Sequence, residues 1–410
     1  MKWNLAFITI YLFSPYANST PLKARDLYET LISKYSVETW SKAQSQFRES
    51  QLAQETAWDN PQIQFGLGNA KVGTFSGSYK EWIISQNIPI NGLRSSKRHQ
   101  LSLQKKQSVY ETQNITNTIH AEVLKMLFFH LYNVERAGHI QERLNRLQLV
   151  DSYLKYKKFA APKDIVEKAL ITHRIKHLKI EVVHIENDLQ HSITYFKNLA
   201  GLDKIESIQL AWPDPKKISQ YFYQHVNTEN SFEEQMNLKA ESHKIELKAA
   251  KKQWLPDLKL YYMQTFQDQY LQEPNINEAF GVSLSVPLFN LGRQAIKEKQ
   301  AAITIQQIER QKESIHRSSK ILTLKNKFQA AQLVVEEFND KYLEKADRDL
   351  DKATVHFKNG LVPAAHFLDL EDQIHESLHG VSRAKLEMIE ASLEVITMNT
   401  ISTDFRTLFL

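Results

Sequence analysis

The chain of 410 residues contains no cysteine, 11 glycines and 11 prolines. The lack of cysteine excludes disulfide bonds, a lipid carried on a cysteine, and a thiol nucleophile. Average chains hold about 7% glycine and about 5% proline, so the scarcity of both residues predicts few breaks and long secondary-structure elements. The sequence also lacks any run of about 20 apolar residues, which excludes a bundle of transmembrane helices.

A strong charge of one sign is missing as well. The 52 lysines and arginines exceed the 47 aspartates and glutamates by too little to predict nucleic-acid binding. The 42% hydrophobic content, at a mean hydropathy of −0.45, excludes a disordered chain. The stretch GLGNAKVG at 66–73 lacks the strand-turn-helix context of a phosphate loop or a nucleophile elbow. We therefore predict no enzymatic activity and no cofactor.

The N-terminus, MKWNLAFITIYLFSPYANST, has the pattern of a secretory signal. A lysine precedes an apolar run from Leu5 to Phe13, and small residues follow at Ala17 to Ser19. A short buried helix is the alternative, but the abrupt change to a polar helical pattern near Asp26 argues against it. We predict a signal peptide at 1–19 and an exported mature chain.

Two halves of the chain match at an offset of about 198 residues. WDNPQIQFGL (58–67) aligns with WLPDLKLYY (254–262), Pro89 aligns with Pro287, and KKFAAP (157–162) aligns with VHFKNGLVP (355–363). Landmarks in the same order indicate duplication of one unit. We predict a first repeat at 20–210, a linker at 211–228 and a second repeat at 229–410. Each repeat would contain a helix, two strands and a long helix pair.

The long helices show coiled-coil spacing. No glycine or proline occurs from Arg293 to Asn359, and the equivalent segment from Leu93 to Ala161 is interrupted only by Gly138. At 1.5 Å per residue, an unbroken helix over 293–359 would be about 100 Å long. Apolar residues within it step by threes, fours and sevens, at Leu324, Phe328, Val335, Phe338 and Tyr342.

The strand segments alternate with a period of two. In AFGVSLSVP (279–287), apolar Phe280, Val282 and Leu284 alternate with small Gly281 and Ser283. The same alternation places Ile63, Phe65 and Leu67, and Leu258, Leu260 and Tyr262, on apolar faces, while Trp82 and Ile84 alternate less cleanly. Periodicity alone permits two structures: the wall of a membrane-spanning barrel, or a soluble sheet packed on helices.

The chain is predicted to be exported, and its sequence predicts neither a transmembrane helix nor a lipid-bearing cysteine. These predictions favour the barrel. Four strands cannot close a barrel, for which about eight are the practical minimum. A barrel therefore requires an oligomer.

Two similar segments, NIPINGLR (87–94) and SVPLFNLGR (285–293), each connect a predicted strand to a predicted long helix. Pro89 and Pro287 would end a strand, and Gly92 and Gly292 would turn the chain into the long helix. Through ISQNIPINGLR, GVSLSVPLFNLGR and the duplicated order of elements, nearly the whole mature chain resembles the TolC-like outer membrane factor family. The stretch NPQIQFGLGNAKVGTFSGSYKEWIISQNIPI (60–90) resembles the CzcC-like branch, which serves pumps for heavy-metal and other cations.

The resemblance implies a mainly α fold with a transmembrane β-barrel part. Four strands per chain would form a twelve-stranded barrel in a homotrimer, embedded in outer-membrane lipid and continued by a helical tunnel in the periplasm. The protein would be a passive conduit that docks on a periplasmic adaptor and an inner-membrane pump. Apart from the resemblance, an exported soluble coiled-coil scaffold or adhesin remains the alternative.

The resemblance also implies functional positions near NGLVPAAHFLDLED (359–372). Gly360 lies at the family's turn, and Asp369 lies where the family commonly has a gate-lining acid. His366 occupies the position of a frequent second acid. The predicted periplasmic gate residues are His366, Asp369, Glu371 and Asp372. The predicted adaptor-docking tips are Phe159, Pro162, Gly360, Leu361 and Val362.

Histidines recur at helical spacing. His173, His177, His184 and His191 fall within about 40° of one another around a helix. The pairs His173 with His177 and His375 with His379 have the four-residue spacing that can share a Zn²⁺ ion. A third ligand is not evident, so a solvated helix surface is the other explanation.

Overall fold

The computed structural model describes residues 22–35, 37–72, 75–88, 90, 92–155, 162–202, 205, 207–228, 230–252, 255–267, 275–285, 292–401 and 404–410. The predicted signal peptide at 1–19 lies outside the described residues. So do three of the predicted site residues: Pro89, Phe159 and Pro287.

Helices make up most of the described chain, and strands form a small part of it. The helices are α1 (Ala24–Lys34), α2 (Val37–Thr56), α3 (Leu93–Lys155), α4 (Pro162–Ala200), α5 (Pro215–His225), α6 (Asn230–Ala250), α7 (Arg293–Glu337), α8 (Asp340–Lys358), α9 (Ala364–Asn399) and α10 (Phe405–Phe409). The strands are β1 (Leu22–Lys23), β2 (Gln62–Val72), β3 (Phe75–Ile88), β4 (Ile208–Gln209), β5 (Asp257–Gln267) and β6 (Asn275–Ser285). The predicted mainly helical fold with a few strands is confirmed.

The chain divides into two compact units built from separated segments. Unit 1 contains the residues up to Glu38, Gln113–Ser231 and Arg317–Leu410. Unit 2 contains Thr39–Thr112 and Phe232–His316. Each unit takes segments from both predicted repeats, so the repeat boundaries stay a prediction. The order of helix, two strands and long helices does occur twice along the chain.

The predicted unbroken helix over 293–359 is wrong. Helix α7 ends at Glu337 and α8 begins at Asp340. Asn339 adopts an extended backbone, and its side chain accepts a hydrogen bond from the Tyr342 amide at 3.2 Å. An asparagine side chain readily accepts a hydrogen bond from a backbone amide at the start of a helix. An uncharged polar residue therefore interrupts the helix here, without glycine or proline. Helix α3, in contrast, continues through Gly138.

Two apolar clusters form the core of unit 1. In the first, the rings of Phe222 and Phe328 stack with centroids 3.9 Å apart. The second lies among α3, α4, α8 and α9, whose buried residues follow the coiled-coil spacing. A fully buried leucine or phenylalanine contributes about 1.5–3 kcal/mol, so these rows hold the helices together.

Unit 2 contains a four-stranded antiparallel sheet in the order β2-β3-β5-β6. Ile63 pairs with Ile84, Ile84 with Tyr262, and Tyr262 with Phe280. Directly paired residues share a face in an antiparallel sheet, so this register aligns the apolar positions of all four strands. In unit 1, β1 and β4 form a short parallel pair.

Candidate functional site

One face of the unit 2 sheet is apolar and uncovered. Phe280 is 77% exposed, Phe65 is 76% exposed and Ile63 is 69% exposed. Each of the four strands makes its principal contacts with other strands rather than with a helix. Large apolar side chains on a monomer's surface at this density mark a surface that contacts lipid or another protein.

A polar row crosses the same face toward the β2–β3 and β5–β6 connections. The Trp82 indole N–H donates to Gln264 Oε1 at 2.8 Å, and Gln264 Nε2 donates to Glu278 Oε1 at 3.0 Å. Ile84, Tyr262 and Phe280 form the next apolar row on this face. This row lies on the side of the polar row from which β3 and β6 continue along the chain to α3 and α7. Polar contacts between strands therefore cross the apolar face.

The opposite face of the sheet is lined by small and polar residues apart from Ile83 and Met263, and tyrosines cover two of its glycines. Gly68 pairs directly with Tyr79, and Gly281 pairs directly with Tyr261. A Cβ atom at Gly68 would lie 2.6 Å from the Tyr79 ring, and one at Gly281 would lie 2.5 Å from the Tyr261 side chain. An aromatic ring over a strand glycine compensates for its missing side chain. Both hairpins of the sheet use this arrangement.

The predicted strand-to-helix turns contain a left-handed glycine in each case. Gly92 has φ 66° and Gly292 has φ 68°, a conformation that other residues adopt only with strain. The Gly92 carbonyl accepts from the Ser96 amide at 3.2 Å, and the Gly292 carbonyl accepts from the Ile296 amide at 2.9 Å. Each glycine thus caps the N-terminus of its long helix.

The predicted tip turn at Gly360 is built as a helix C-cap. Gly360 has φ 72°, its amide donates to the Phe357 carbonyl at 2.9 Å, and the Leu361 amide donates to the His356 carbonyl at 3.0 Å. This pair of bonds is the Schellman arrangement, which favours glycine. Leu361 is 69% exposed, whereas Val362 packs against the second apolar cluster. Pro162 is exposed at the start of α4.

The four predicted gate residues fall into two groups on α9. His366 and Asp369 are exposed. Glu371 is fully buried and accepts from Arg143 Nε of α3 at 3.1 Å, and Asp372 contacts both Arg143 and Arg174 of α4. Glu371 and Asp372 therefore join three helices of unit 1. Sequence reasoning missed both arginines, because helix contacts between distant segments leave no local pattern.

Burial shifts the pKa values of this cluster. It raises the pKa of the Glu371 carboxyl, and the Arg143 charge opposes that shift. Burial, together with the nearby Arg143 and Arg146 charges, lowers the pKa of His375 to about 3. Glu371 Oε1 and His375 Nε2 lie 4.0 Å apart, and neither has a hydrogen-bond partner among the described residues.

The predicted metal pairs lie in two different settings. His173 and His177 are exposed on α4. His375 is buried beside two arginines, and His379 shares a hydrogen bond with the Tyr132 hydroxyl. The segment HESLH (375–379) has the spacing of the zinc-binding HExxH motif. Nearby positive charge disfavours a cation there, and no group of three metal-ligating side chains occurs among the described residues.

Within the described part of the chain, no helix has the length and apolarity needed to cross a bilayer. No protein-family model matches the sequence, and no curated protein matches it.

The fold, in contrast, matches solved structures over almost the whole chain. CusC, whose structures concern folding and transmembrane channel formation, is 14% identical with a TM-score of 0.65, covering 94% of this chain and 95% of CusC. The outer-membrane channel OprN is 10% identical with a TM-score of 0.68, covering 92% and 89%. The Neisseria gonorrhoeae MtrE outer membrane channel, in its open state, is 14% identical with a TM-score of 0.65, covering 92% and 88%. The chain has the fold of these channel proteins.

Proposed function

We propose that this chain is a TolC-like outer membrane factor, the channel component of a tripartite efflux system. One observation carries the proposal: the apolar face of the four-stranded sheet is uncovered along its length. A soluble scaffold gains nothing from exposing Phe65 and Phe280, whereas a barrel wall needs apolar side chains toward lipid. The small and polar residues of the opposite face would then line the channel.

The sheet edges support an oligomeric barrel. Strands β2 and β6 are the outer strands of the sheet, so each has one edge without a partner strand in this sheet. Backbone groups must be paired inside a bilayer, which forbids open edges. Pairing β6 of one copy with β2 of the next removes these edges. Three copies would give a closed barrel of twelve strands, and the resemblance to trimeric outer membrane factors favours this number.

The proposed location is the outer membrane, with the helical part in the periplasm. The conduit would be passive, since the sequence has no nucleotide-binding motif through which it could use ATP. An inner-membrane pump and its periplasmic adaptor would supply the energy for transport and select the exported substrate. The tip residues Phe159, Pro162, Gly360, Leu361 and Val362 are the proposed contact with the adaptor. The likeness to the CzcC-like branch favours heavy-metal cations as cargo.

Fractionation and mass measurement test this function. The chain with its N-terminal segment is expressed in a Gram-negative host, and we expect it in carbonate-resistant outer membranes. After detergent extraction, we expect a mass about three times that of the mature chain and ion conductance in planar bilayers. A monodisperse monomer that stays soluble without detergent would refute the channel and would favour the scaffold or adhesin.

Gly360→Val tests the docking proposal separately. It should abolish export while leaving the trimer in the outer membrane, because it alters a turn at a tip. Gly380→Ala is the matched control, since both glycines have open space around a new Cβ but only Gly360 has a positive φ. Normal export by Gly360→Val would refute the assigned docking turn.

A further inference from the structure

Charged side chains are unevenly distributed over the polar face of the four-stranded sheet, the face that carries Gly68 and Gly281. Successive residues of a strand point to opposite faces, so the register assigns each described strand residue to one face. Among the described strand residues of the polar face, only Glu81, Asp257 and Lys259 are charged. Their positions along the strands decide which of these charges act together.

The three charges lie at two separate levels of the polar face. Lys259 pairs directly with Asn87 of β3, six residues from Glu81. At about 3.4 Å per residue, Glu81 and Lys259 are separated by about 20 Å along the strands. This separation exceeds the Debye length of about 10 Å at about 0.1 M salt. Asp257 lies only two residues from Lys259 on the same face, so these two opposite charges largely cancel, whereas the charge of Glu81 does not.

The residues next to Glu81 on the polar face are uncharged. Glu81 pairs with Gly66 of β2 on one side and with Thr265 of β5 on the other. Tyr79 and Ile83 are its neighbours along β3 on the same face. Gly66 has no side chain to cover the carboxylate, and a Cβ atom there would lie 3.5 Å from Glu81 Cβ. The described strands therefore place no cation beside Glu81 on its own face.

We propose that Glu81 is a specificity-determining residue of the channel and favours cationic over anionic solutes. The inference rests on the proposed function, in which the polar face lines a barrel made of three copies of the chain. Threefold symmetry would place the three Glu81 carboxylates at one level of this barrel. A ring of carboxylates favours cations in a channel, because it attracts counter-ions and repels ions of its own charge. The ring would select by charge and would not distinguish one cation from another.

Glu278 provides a matched carboxylate on the apolar face of the same sheet. It lies in the row of Trp82 and Gln264, and Trp82 is the residue next to Glu81 in β3. Gln264 Nε2 donates to Glu278 Oε1 at 3.0 Å on the apolar face. In the proposed barrel this face meets lipid, so Glu278 would not contact the solutes. Glu81 and Glu278 therefore differ in face but hardly in position along the strands.

Ion selectivity in planar bilayers tests the role of Glu81. Full-length trimers of the original protein, Glu81→Gln and Glu278→Gln are purified in detergent, and their oligomeric mass is determined first. The ratio of potassium to chloride permeability is measured from the reversal potential under a KCl gradient. We expect Glu81→Gln to lower this ratio at least about threefold and Glu278→Gln to leave it nearly unchanged. The effect of Glu81→Gln should be larger near 0.01 M salt than near 1 M salt, because the Debye length falls from about 30 Å to about 3 Å.

Two further variants separate the charge of Glu81 from a structural role. Glu81→Asp keeps the charge and should retain most of the cation preference. Glu81→Lys reverses the charge and should give a preference for chloride. Equal losses of cation preference in Glu81→Gln and Glu81→Asp would overturn the proposed role of the charge.

The remaining outcomes distinguish this inference from the channel function. Conducting trimers in which Glu81→Gln leaves the permeability ratio unchanged would overturn the role of Glu81 and leave the channel function standing. Equal losses in Glu81→Gln and Glu278→Gln would overturn the assignment of Glu81 to the channel lining. An original protein that forms no trimer, or trimers that do not conduct, would overturn both the inference and the proposed function.

Discussion

Arg143 of α3 and Glu371 of α9 form an ion pair at 3.1 Å in which the glutamate is fully buried and the arginine side chain is 9% exposed. Asp372 extends the pair to Arg174 of α4. A buried carboxylate is tolerated only when it is paired. The pair therefore holds together helices that are far apart in sequence.

Arg143→Met should destabilise the helical core by about 3–5 kcal/mol, because it leaves the Glu371 charge buried without its partner. The measurement is denaturant unfolding in detergent, followed by helical circular dichroism. Arg383→Met is the control, since Arg383 is largely exposed and its pair with Glu387 should contribute about 0.5 kcal/mol or less.

The same variant has an expected pH dependence. Burial raises the pKa of Glu371 in the folded protein, so the folded state binds this proton more tightly than the unfolded state. Arg143 opposes the rise, and its removal should raise the pKa further. The loss of stability in Arg143→Met should then be largest near neutral pH and shrink with acidification toward the glutamate range. Equal losses across this pH range would contradict the pairing.

His130 should make the protein acid-labile. Burial lowers the pKa of His130 from 6.5 to about 4, and its Nδ1 lies 2.7 Å from Ser192 Oγ. The unfolded state therefore binds more protons, and stability falls as pH falls from about 6.5 to about 4, by at most about 3 kcal/mol. His130→Gln should flatten this part of the pH profile of unfolding. Exposed His316→Gln is the control for replacing a histidine by glutamine.

Gly68→Ala should destabilise the β2–β3 hairpin by about 1–3 kcal/mol, because the new Cβ would overlap the Tyr79 ring. Gly66→Ala is the matched control in the same strand, where the new Cβ would make an ordinary contact at 3.5 Å with Glu81 Cβ. Thermal stability of the purified protein distinguishes the two. Adding Tyr79→Ser to Gly68→Ala should recover part of the lost stability. A lack of recovery would show that overlap with the Tyr79 ring is not the cause of the destabilisation.

Leu284→Arg and Ser283→Arg test which face of β6 meets lipid. Leu284 belongs to the exposed apolar face, so arginine there should cost about 2–4 kcal/mol near the bilayer midplane. Ser283 belongs to the opposite face, where arginine would enter the channel. The yield of detergent-stable trimer in outer membranes is the readout. Equal yields would contradict the assigned faces.

Asp369→Ala tests the periplasmic gate. Asp369 is exposed on α9 two residues before the buried Glu371. If its carboxylate narrows the entrance, the variant should show higher single-channel conductance and weaker cation preference in planar bilayers. Glu376→Ala, also exposed on α9, is the control. Unchanged conductance in correctly assembled Asp369→Ala trimers would refute the gate assignment.

The sequence by itself determined the local structure of this protein. Alternation of Phe280, Val282 and Leu284 with small residues predicted a strand with one apolar face, and Gly92 and Gly292 marked the entries to the long helices. These signals are local, because the period of a strand or helix and the φ of a glycine depend on neighbours in the chain. The helix break at Asn339 escaped prediction because asparagine is compatible with both a helix and a cap.

Only the tertiary structure decided which predicted gate residues are exposed and which are buried. Glu371 and Asp369 look alike in sequence, yet one lies against Arg143 and the other faces solvent. The difference depends on how α3, α4 and α9 are placed, and segments more than 200 residues apart meet through packing that no local pattern encodes.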